Sequence, residues 1–241
     1  MPGTAEPGRG ARPERHDVVA AAVRLFEQAG YEQTTMGDIA EAAGLSRRSL
    51  FRRFGTKEDI LFAELEEVFA AVRRYLAAAP EDDPVAAVTA AARMVFQGYA
   101  STPEITVPRF RLVRAVPRLR DREVAMTARY QAAFSRHLAR GESDGERALA
   151  AEAVAAAVIA AHNHVLRSWL RAPERPVPWD RLDAAMALVT EGLGATLRGG
   201  APPAGREPAR VLVAVYPSGA GTSEVLDRVR EALRPDGCDQ G

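Results

Sequence analysis

The sequence predicts an all-α protein with one short βα unit near its C-terminal end. Apolar residues recur at spacings of three and four along most of residues 13–197, which is the period of amphipathic helices. Residues 31–59 contain two short helices with N-cap residues and a glycine turn between them. One β-branched run of strand length, Val211–Tyr216, follows a Gly/Pro-rich linker. We therefore expect a helical body followed by a small appendage of different character.

The segment 31–59 has the local signals of a helix-turn-helix. Thr35 is suited to an N-cap, and Asp38 stands three residues later, as in a capping box. Gly44 ends the helix because glycine adopts the left-handed conformation without steric cost. Ser46 then caps a second short helix, and Thr56 caps the next one. Such a pair of helices can place its second member in the DNA major groove.

The charge of this segment favours DNA binding. From residue 44 to residue 57 the chain carries five basic side chains and no acidic one: Arg47, Arg48, Arg52, Arg53 and Lys57. The first turn of the second helix, which includes Ser49, is where a recognition helix reaches base edges. Arginine can bind guanine O6 and N7 bidentately. The alternative is a solvated basic helix in an ordinary helical hairpin.

These residues resemble the DNA-binding domain of TetR-type transcriptional regulators. The resemblance rests on an ordered set: Ala21, Leu25, Phe26, Gly30, Tyr31, Thr35, Ile39, Ala40, Ala43, Gly44, Leu45, Ser46, Leu50, Phe51, Phe54, Lys57 and Leu61. It implies an N-terminal three-helix DNA-binding domain, a helical ligand-binding and dimerisation domain, and repression relieved by a small molecule. The residues expected to contact DNA are Thr35, Ser46, Arg47, Arg48, Ser49, Phe51, Arg52, Arg53 and Lys57.

Two positions refine this resemblance. Where the family usually has Tyr, this chain has Phe51, which can touch a thymine methyl or a sugar but cannot hydrogen-bond a phosphate. Lys57 matches the family's Lys at the start of the fourth helix and is the only lysine among the 32 basic residues.

Composition limits the class of protein. A chain of 241 residues with 47% apolar and 27% charged side chains suits one or two packed domains. The formal net charge is zero, so nucleic acid must bind a local basic patch. Cys238 is the only cysteine, which excludes an internal disulfide and a cysteine-rich zinc site. No uninterrupted apolar run reaches about 18 residues, and residues 1–10 lack a signal core. We expect a soluble cytoplasmic protein, with an Ala/Arg bias typical of GC-rich bacteria, and no metal or cofactor.

The predicted elements follow in order. Residues 1–12 form a disordered arm, whose Arg9 and Arg12 either enter a minor groove or simply remain mobile. Residues 13–60 form the helix-turn-helix domain, which begins with a helix over Pro13–Ala29. Residues 61–198 form the second domain. The remaining helices are predicted over Lys57–Ala79, Pro84–Ala100, Pro103–Val116, Asp121–Arg140, Glu146–Arg171 and Trp179–Leu197. The first of these links the two domains.

The middle helices carry the candidate ligand site. Its predicted residues are Met94, Tyr99, Phe110, Tyr130, Phe134 and His162, which suit a mainly apolar or acidic ligand. Six arginines between Arg109 and Arg122 are either a solvated face or a docking site for a carboxylate or a coenzyme A phosphate. His162 and His164 lie two residues apart, hence on different faces of a helix, so a zinc site is not expected. His162 instead faces the pocket or a dimer seam.

The last two helices of the body predict a homodimer. Much of their surface consists of small residues: Ala155, Ala156, Ala160, Ala184, Ala185, Ala187, Gly192, Gly194 and Ala195. Such helices have too many apolar positions for one buried face, so they pack within the monomer or against a partner. The TetR resemblance implies a four-helix bundle with the same pair of a second subunit.

The tail is the least informative part. After a linker over residues 199–209, residues 210–241 predict one strand, a Gly-rich loop and one helix, a unit too small to fold alone. The loop could hold an anion at a helix N-terminus, but it lacks a lysine and a full glycine fingerprint. Packing against the body, or a remnant without function, is favoured over a nucleotide site.

We expect a ligand-responsive transcriptional regulator that binds a palindromic operator as a homodimer, and a repressor released by a small apolar or acidic ligand is favoured over an activator. One alternative is a sequence-indifferent DNA-binding or scaffolding protein, which would show little preference for one DNA sequence. Another is an enzyme or ligand carrier, which a clustered acid–base set would support; the sequence contains none. The sequence names neither effector, operator nor target genes.

Overall fold

The computed structural model describes residues 14–80, 82–139 and 145–197, with side chains up to Leu193. Within these ranges the chain forms nine α-helices and no strand, which confirms the all-α prediction. The helices are α1 (Arg15–Ala29), α2 (Met36–Ala42), α3 (Arg47–Arg53), α4 (Lys57–Ala78), α5 (Pro84–Ala100), α6 (Pro103–Ala115), α7 (Pro117–Ala139), α8 (Glu146–Leu170) and α9 (Trp179–Leu197). The predicted arm, linker and βα tail lie outside the described residues, as do Cys238 and the side chains at 194 and 195.

The predicted helix starts are confirmed by side-chain caps. Thr35 Oγ1 accepts from the Asp38 amide at 3.2 Å, and the Thr35 amide donates to the Asp38 carboxylate at 2.8 Å. Thr56 forms the same capping box at the start of α4, and Ser46 caps α3. Gly44, with φ of +64°, turns the chain after α2, a conformation that glycine adopts freely. The helix-turn-helix is therefore specified by local hydrogen bonds.

Prolines shape two helices, and one of the two differs from the sequence prediction. Helix α7 begins at Pro117, four residues before the predicted start, since Val116 is extended and proline presets the helical φ at a first position. Helix α6 continues through Pro108. The carbonyl that loses its donor there is that of Glu104, in an exposed first turn that water can reach.

The first four helices share one apolar core. Helix α1 packs against α2, α4 and α6, and α2 packs against α3. The buried contacts include Phe26, Ile39, Leu50 and Leu61, each at most 2% exposed. Leu50 and the buried Phe54 attach α3 to this core by one face. The opposite face of α3 is left for solvent or a partner.

The remaining helices build a second layer around α4. Helix α4 packs against α5 and α7, and α8 packs against α5, α7 and α9. At Gly98, an added Cβ would lie 2.7 Å from Val68 Cγ2, so α4 and α5 approach closely at this point. Arg93 on α5 also forms an ion pair with Asp183 on α9. Helix α4 is thus shared by the N-terminal core and the second layer.

Helix α8 is long and apolar enough to cross a membrane, with a mean hydropathy of 1.4 over its best window. Its apolar residues are interrupted by polar ones, so a search for uninterrupted apolar runs does not identify this helix as a possible membrane span. Buried positions account for 44% of that window, including Val154, Val158 and Val165. The core helix of a globular protein has the same length and composition, and in the described residues no other helix has them.

Candidate DNA-binding helix and ligand cavity

Helix α3 presents a basic and partly apolar surface. Arg48, Phe51 and Arg52 are exposed, and Phe51 keeps 52% of its surface accessible although it is aromatic. Among the described residues, neither Arg48 nor Arg52 forms an ion pair with an acid. Arg53 is half-buried and lies over the Phe54 ring at 5.4 Å. Cationic side chains without intramolecular partners can bind DNA phosphates or bases without first breaking a contact.

Arg47 is placed differently from Arg48. Its guanidinium covers Gly37 of α2, where an added Cβ would lie 2.5 Å from Nη2. It also acts on Asp38, whose carboxyl pKa is lowered first by the hydrogen bonds with Thr35 and also by the Arg47 charge. Arg47 therefore helps to hold α3 against α2.

The hydroxyls of the predicted DNA site also serve as caps. Thr35 Oγ1 is the cap of α2, and Ser46 Oγ accepts from the Ser49 amide at 3.2 Å. The two serine hydroxyls lie 3.0 Å apart. Thr35 and Ser46 are exposed and Ser49 is half-buried, so each hydroxyl keeps hydrogen-bonding capacity on the side of α3.

Lys57 has a set of partners that its sequence position did not indicate. Its ammonium donates to the carbonyls of Tyr31 at 2.6 Å and Thr34 at 2.9 Å, with the Glu32 carbonyl at 3.5 Å. It also lies 4.5 Å from the centroid of the Tyr31 ring, a cation–π distance. Lys57 thereby ties the first turn of α4 to the loop that leads into α2.

Replacing Lys57 with Ala is expected to lower the free energy of unfolding by about 2–4 kcal/mol. The change removes two short hydrogen bonds from a charged donor, each worth roughly 1.5–3 kcal/mol at most and not fully additive. Urea denaturation of the variant measures the loss. Arg52→Ala is the matched control, because it removes an exposed charge nearby and should change stability by less than about 0.5 kcal/mol. Equal midpoints for the two variants would contradict a locking role for Lys57.

Of the six arginines in the run, three form ion pairs with acids of other segments and one, Arg109, is buried. Three of its arginines form what we call the headpiece clamp, Arg111, Arg118 and Arg122, because they reach acids on α1, α4 or the loop after α1. The pairs are Arg111 with Glu27 (3.7 Å), Arg118 with Glu32 (2.8 Å) and Glu58 (3.3 Å), and Arg122 with Asp59 (2.7 Å). The clamp joins the start of α7 and the end of α6 to the DNA-binding helices.

A cavity lies among α4, α5, α6, α7 and α8. Five of the six predicted ligand residues line it: Tyr99, Phe110, Tyr130, Phe134 and His162. The sixth, Met94, lies on the same helix as Tyr99 but in a surface groove with Val68. Non-protein space in this region totals about 790 Å³, yet the centre of a water molecule can occupy only about 50 Å³ of it. The cavity is therefore a narrow space between apolar walls.

Two polar side chains of the cavity wall, His162 and Tyr130, are deeply buried. Burial lowers the pKa of His162 to about 4 and raises that of Tyr130, so both side chains are neutral near pH 7. His162 Nδ1 lies 3.2 Å from Asn163 Oδ1. Tyr130 Oη and His162 Nε2 have no hydrogen-bond partner among the described residues. Two uncharged buried groups with unpaired polar atoms, set among aliphatic and aromatic side chains, suit an apolar ligand that carries a small polar group.

Arg109 is the cavity residue that sequence reasoning did not separate from the run. It is 3% exposed, and burial lowers its pKa. The position of Arg109 along α6 could have identified it as buried. It stands four residues after Ile105 and four before Val113, and both of these side chains are buried. Such a position on the apolar stripe marks an arginine that points inwards.

No cluster of three or more His, Cys, Asp or Glu side chains suited to a metal occurs in the part of the chain that the structure describes.

The DNA-binding helices and the cavity helices match two known family models. Residues 18–63 match the bacterial regulatory proteins of the tetR family, and residues 82–194 match the MftR C-terminal domain of the same family. The chain belongs to the TetR family.

Relatives in this family include named regulators. The putative mycofactocin biosynthesis transcriptional regulator MftR of Mycobacterium tuberculosis is 25% identical over 80% of this chain and 98% of its own length. The regulator HbdR of Aromatoleum is 43% identical over 22% of this chain and 24% of its own. The SmeT–triclosan complex shares the TetR fold, with a TM-score of 0.53 and 19% identity over 84% of this chain and 99% of that one. The TetR resemblance is thus confirmed beyond the helix-turn-helix segment.

Proposed function

We propose that this protein is a ligand-responsive transcriptional repressor that binds a palindromic operator as a homodimer and releases it when a small molecule enters the cavity. Helix α4 carries the proposal. Its first residue, Lys57, is tied to the loop before α2, while its Phe62 and Leu65 line the cavity. A ligand that widens the cavity can displace α4, and a displacement of α4 would act on the helix-turn-helix through Lys57. The family's named members are transcriptional regulators, which supports this assignment.

The DNA contacts are assigned to α3 and its caps. Arg48 and Arg52 are exposed without ion-pair partners in the described residues, and Phe51 is exposed for contact with a thymine methyl or a sugar. Thr35, Ser46 and Ser49 lie at helix starts, where hydroxyls and backbone amides reach phosphates. Lys57 and Arg47 have structural partners, and we assign them to positioning as much as to contact.

The homodimer is assigned to the outer faces of α8 and α9. Leu149 on α8 and Leu188 on α9 keep 70% and 75% of their surfaces exposed, so both are available for burial against a partner. Exposed alanines accompany them at Ala160, Ala184 and Ala187. Small residues between leucines allow two helix pairs to pack closely. Two copies related by a two-fold axis would present two α3 helices to a palindrome.

The domain boundary near residue 60 remains a proposal about function, because α4 runs through it without a break. We assign residues 13–60 to DNA binding and residues 61–198 to ligand binding and dimerisation. The clamp and α4 together join these parts. Soluble regulators of this family act in the cytoplasm and are normally without enzymatic activity, and we extend both properties to this chain.

The experiment that tests the proposal begins with the operator. Genomic fragments bound by the protein are selected and sequenced, and a shared palindrome is expected.

Calorimetry then measures effector binding to free protein and to the protein–operator complex. By linkage, an effector that weakens operator binding tenfold must itself bind about tenfold more weakly to the complex, which corresponds to about 1.4 kcal/mol. Equal effector affinity in both titrations would exclude induction by that compound. Binding of random fragments without preference would identify a sequence-indifferent DNA-binding protein instead.

A further inference from the structure

A buried guanidinium in the cavity wall has too few partners for its charge. Arg109 Nη2 donates to Thr106 Oγ1 at 3.2 Å, and the guanidinium lies 5.5 Å from the centroid of the Tyr99 ring. Nη1 has no hydrogen-bond partner among the described residues. A buried cation that is not fully hydrogen-bonded carries a desolvation cost. The cavity therefore has a site where an anion would be stabilised.

The nearest carboxylate is shared with another helix. Glu64 Oε2 on α4 lies 3.9 Å from Arg109 Nη1, which is beyond hydrogen-bonding distance. The other oxygen, Glu64 Oε1, lies 2.9 Å from His16 Nδ1 on α1. Glu64 thus stands between a cavity cation and the first helix of the DNA-binding domain. It compensates Arg109 incompletely because it is held towards His16.

The remaining groups of the cavity define the shape of the ligand that would supply the anion. Glu123 and Arg167, at one edge of the cavity, already pair with each other at 3.5 Å. Tyr130 Oη is a buried hydroxyl with no partner in the described residues and can donate a hydrogen bond. The other walls are mainly aliphatic and aromatic. One anionic group on an apolar body would satisfy Arg109 without leaving a second charge buried.

We propose that the effector is a monocarboxylate with an apolar body and that its carboxylate pairs with Arg109. The ligand then replaces Glu64 as the anion beside Arg109, and Glu64 is left with His16 as its partner. The proposal rests on the repressor function given above. A carboxylate can accept from the free Nη1 at hydrogen-bonding distance, which Glu64 does not reach. Loss of the attraction to Arg109 lets Glu64 follow His16, so the contact between α4 and α1 changes. The signal reaches the DNA-binding domain through a charge exchange as well as through cavity widening.

The first test measures ligand preference without DNA. Octanoate and phenylbutyrate are titrated against octanol and phenylbutanol by calorimetry. The wild-type protein is expected to bind each acid about tenfold or more tightly than its alcohol, as one charge-assisted hydrogen bond provides. Arg109→Met should bind acid and alcohol alike and should be no less stable than the wild type, because an underpaired buried charge is replaced by an apolar side chain of similar length. An acid preference that survives in Arg109→Met, or no binding of either acid at millimolar concentration, would overturn the proposal.

The second test measures the exchange itself. Glu64→Gln should bind octanoate at least as tightly as the wild type, yet octanoate should weaken its operator binding by a clearly smaller factor than in the wild type. Glu67→Gln is the matched control, because Glu67 lies on the same helix and pairs with Arg15 of α1 at 2.5 Å outside the cavity. It should keep the wild-type response. A full response in Glu64→Gln would refute the role of Glu64. If neither the wild type nor any variant binds an operator, the proposed repressor function is wrong. The first test uses no DNA, so it decides the carboxylate site independently of that outcome.

Discussion

Leu188→Glu is expected to convert the dimer into a monomer and to weaken operator binding by roughly 10²- to 10⁴-fold. Leu188 is the most exposed large apolar side chain in the described residues, at 75%. In the proposed four-helix bundle it would be buried against the partner, where an unpaired carboxylate is costly. A monomer contacts one half-site only, so it loses the effective concentration that holds the second recognition helix at its site.

Val124→Glu is the control for this variant. Val124 is an apolar side chain with 62% exposure, but it lies on α7 and outside the proposed dimer faces. The same charge introduced there should leave both the sedimentation behaviour and the operator affinity unchanged. Analytical ultracentrifugation and a fluorescence binding assay would be run on the two variants together. A monomeric Leu188→Glu protein that binds the full operator as tightly as the wild type would refute the dimer requirement.

Arg48→Ala is expected to cost about 1–3 kcal/mol in each half-site, and therefore about 2–6 kcal/mol for the whole operator. Arg48 is exposed in the first turn of α3 and has no ion pair within the described ranges, so its guanidinium is available for a guanine edge. Loss of a base contact also relaxes specificity at the position it reads. Binding to an operator library should show one base pair per half-site that no longer matters to the variant.

Arg74→Ala provides the comparison for this prediction. Arg74 is an exposed arginine near the other end of α4, so its removal changes the net charge equally without altering α3. It should affect operator binding little at physiological salt, because screening limits charges beyond about 8 Å. If Arg48→Ala weakens every sequence by the same factor, Arg48 contacts phosphate and the base-reading role belongs to another residue.

The features of the fold that sequence predicted well are those with a local cause. Thr35, Ser46 and Thr56 cap helices through hydrogen bonds that span three residues, so the residues that make the contact are adjacent in the sequence. Gly44 turns the chain by its own backbone freedom. The cavity residues on α6, α7 and α8 were also predicted, because bulky side chains on apolar helix faces usually meet in the interior.

What the sequence could not supply depends on contacts between distant segments. The partners of Lys57 are backbone carbonyls more than twenty residues away, and carbonyls leave no mark in a sequence. The clamp depends on acids of α1 and α4, and acids are common on the surface of any helix. Met94 was assigned to the cavity by its helix, but the lining residues of α5 are Ala92, Val95 and Tyr99, which lie on another face.

The narrowness of the cavity also governs how fast the protein can respond. Pockets for drug-sized ligands usually have volumes of about 300–1,000 Å³, whereas the volume open to the centre of a water molecule in this cavity is only about 50 Å³. A ligand of that size fits only when the side chains and helices that line the cavity, Phe62 and Tyr130 among them, move apart. Where this movement limits binding, association is expected to be slower than the usual 10⁵–10⁷ M⁻¹s⁻¹. Dissociation would require the same movement and would be slowed as well. Transcription induced by such an effector would continue after the free effector is gone, until the bound effector dissociates from the protein.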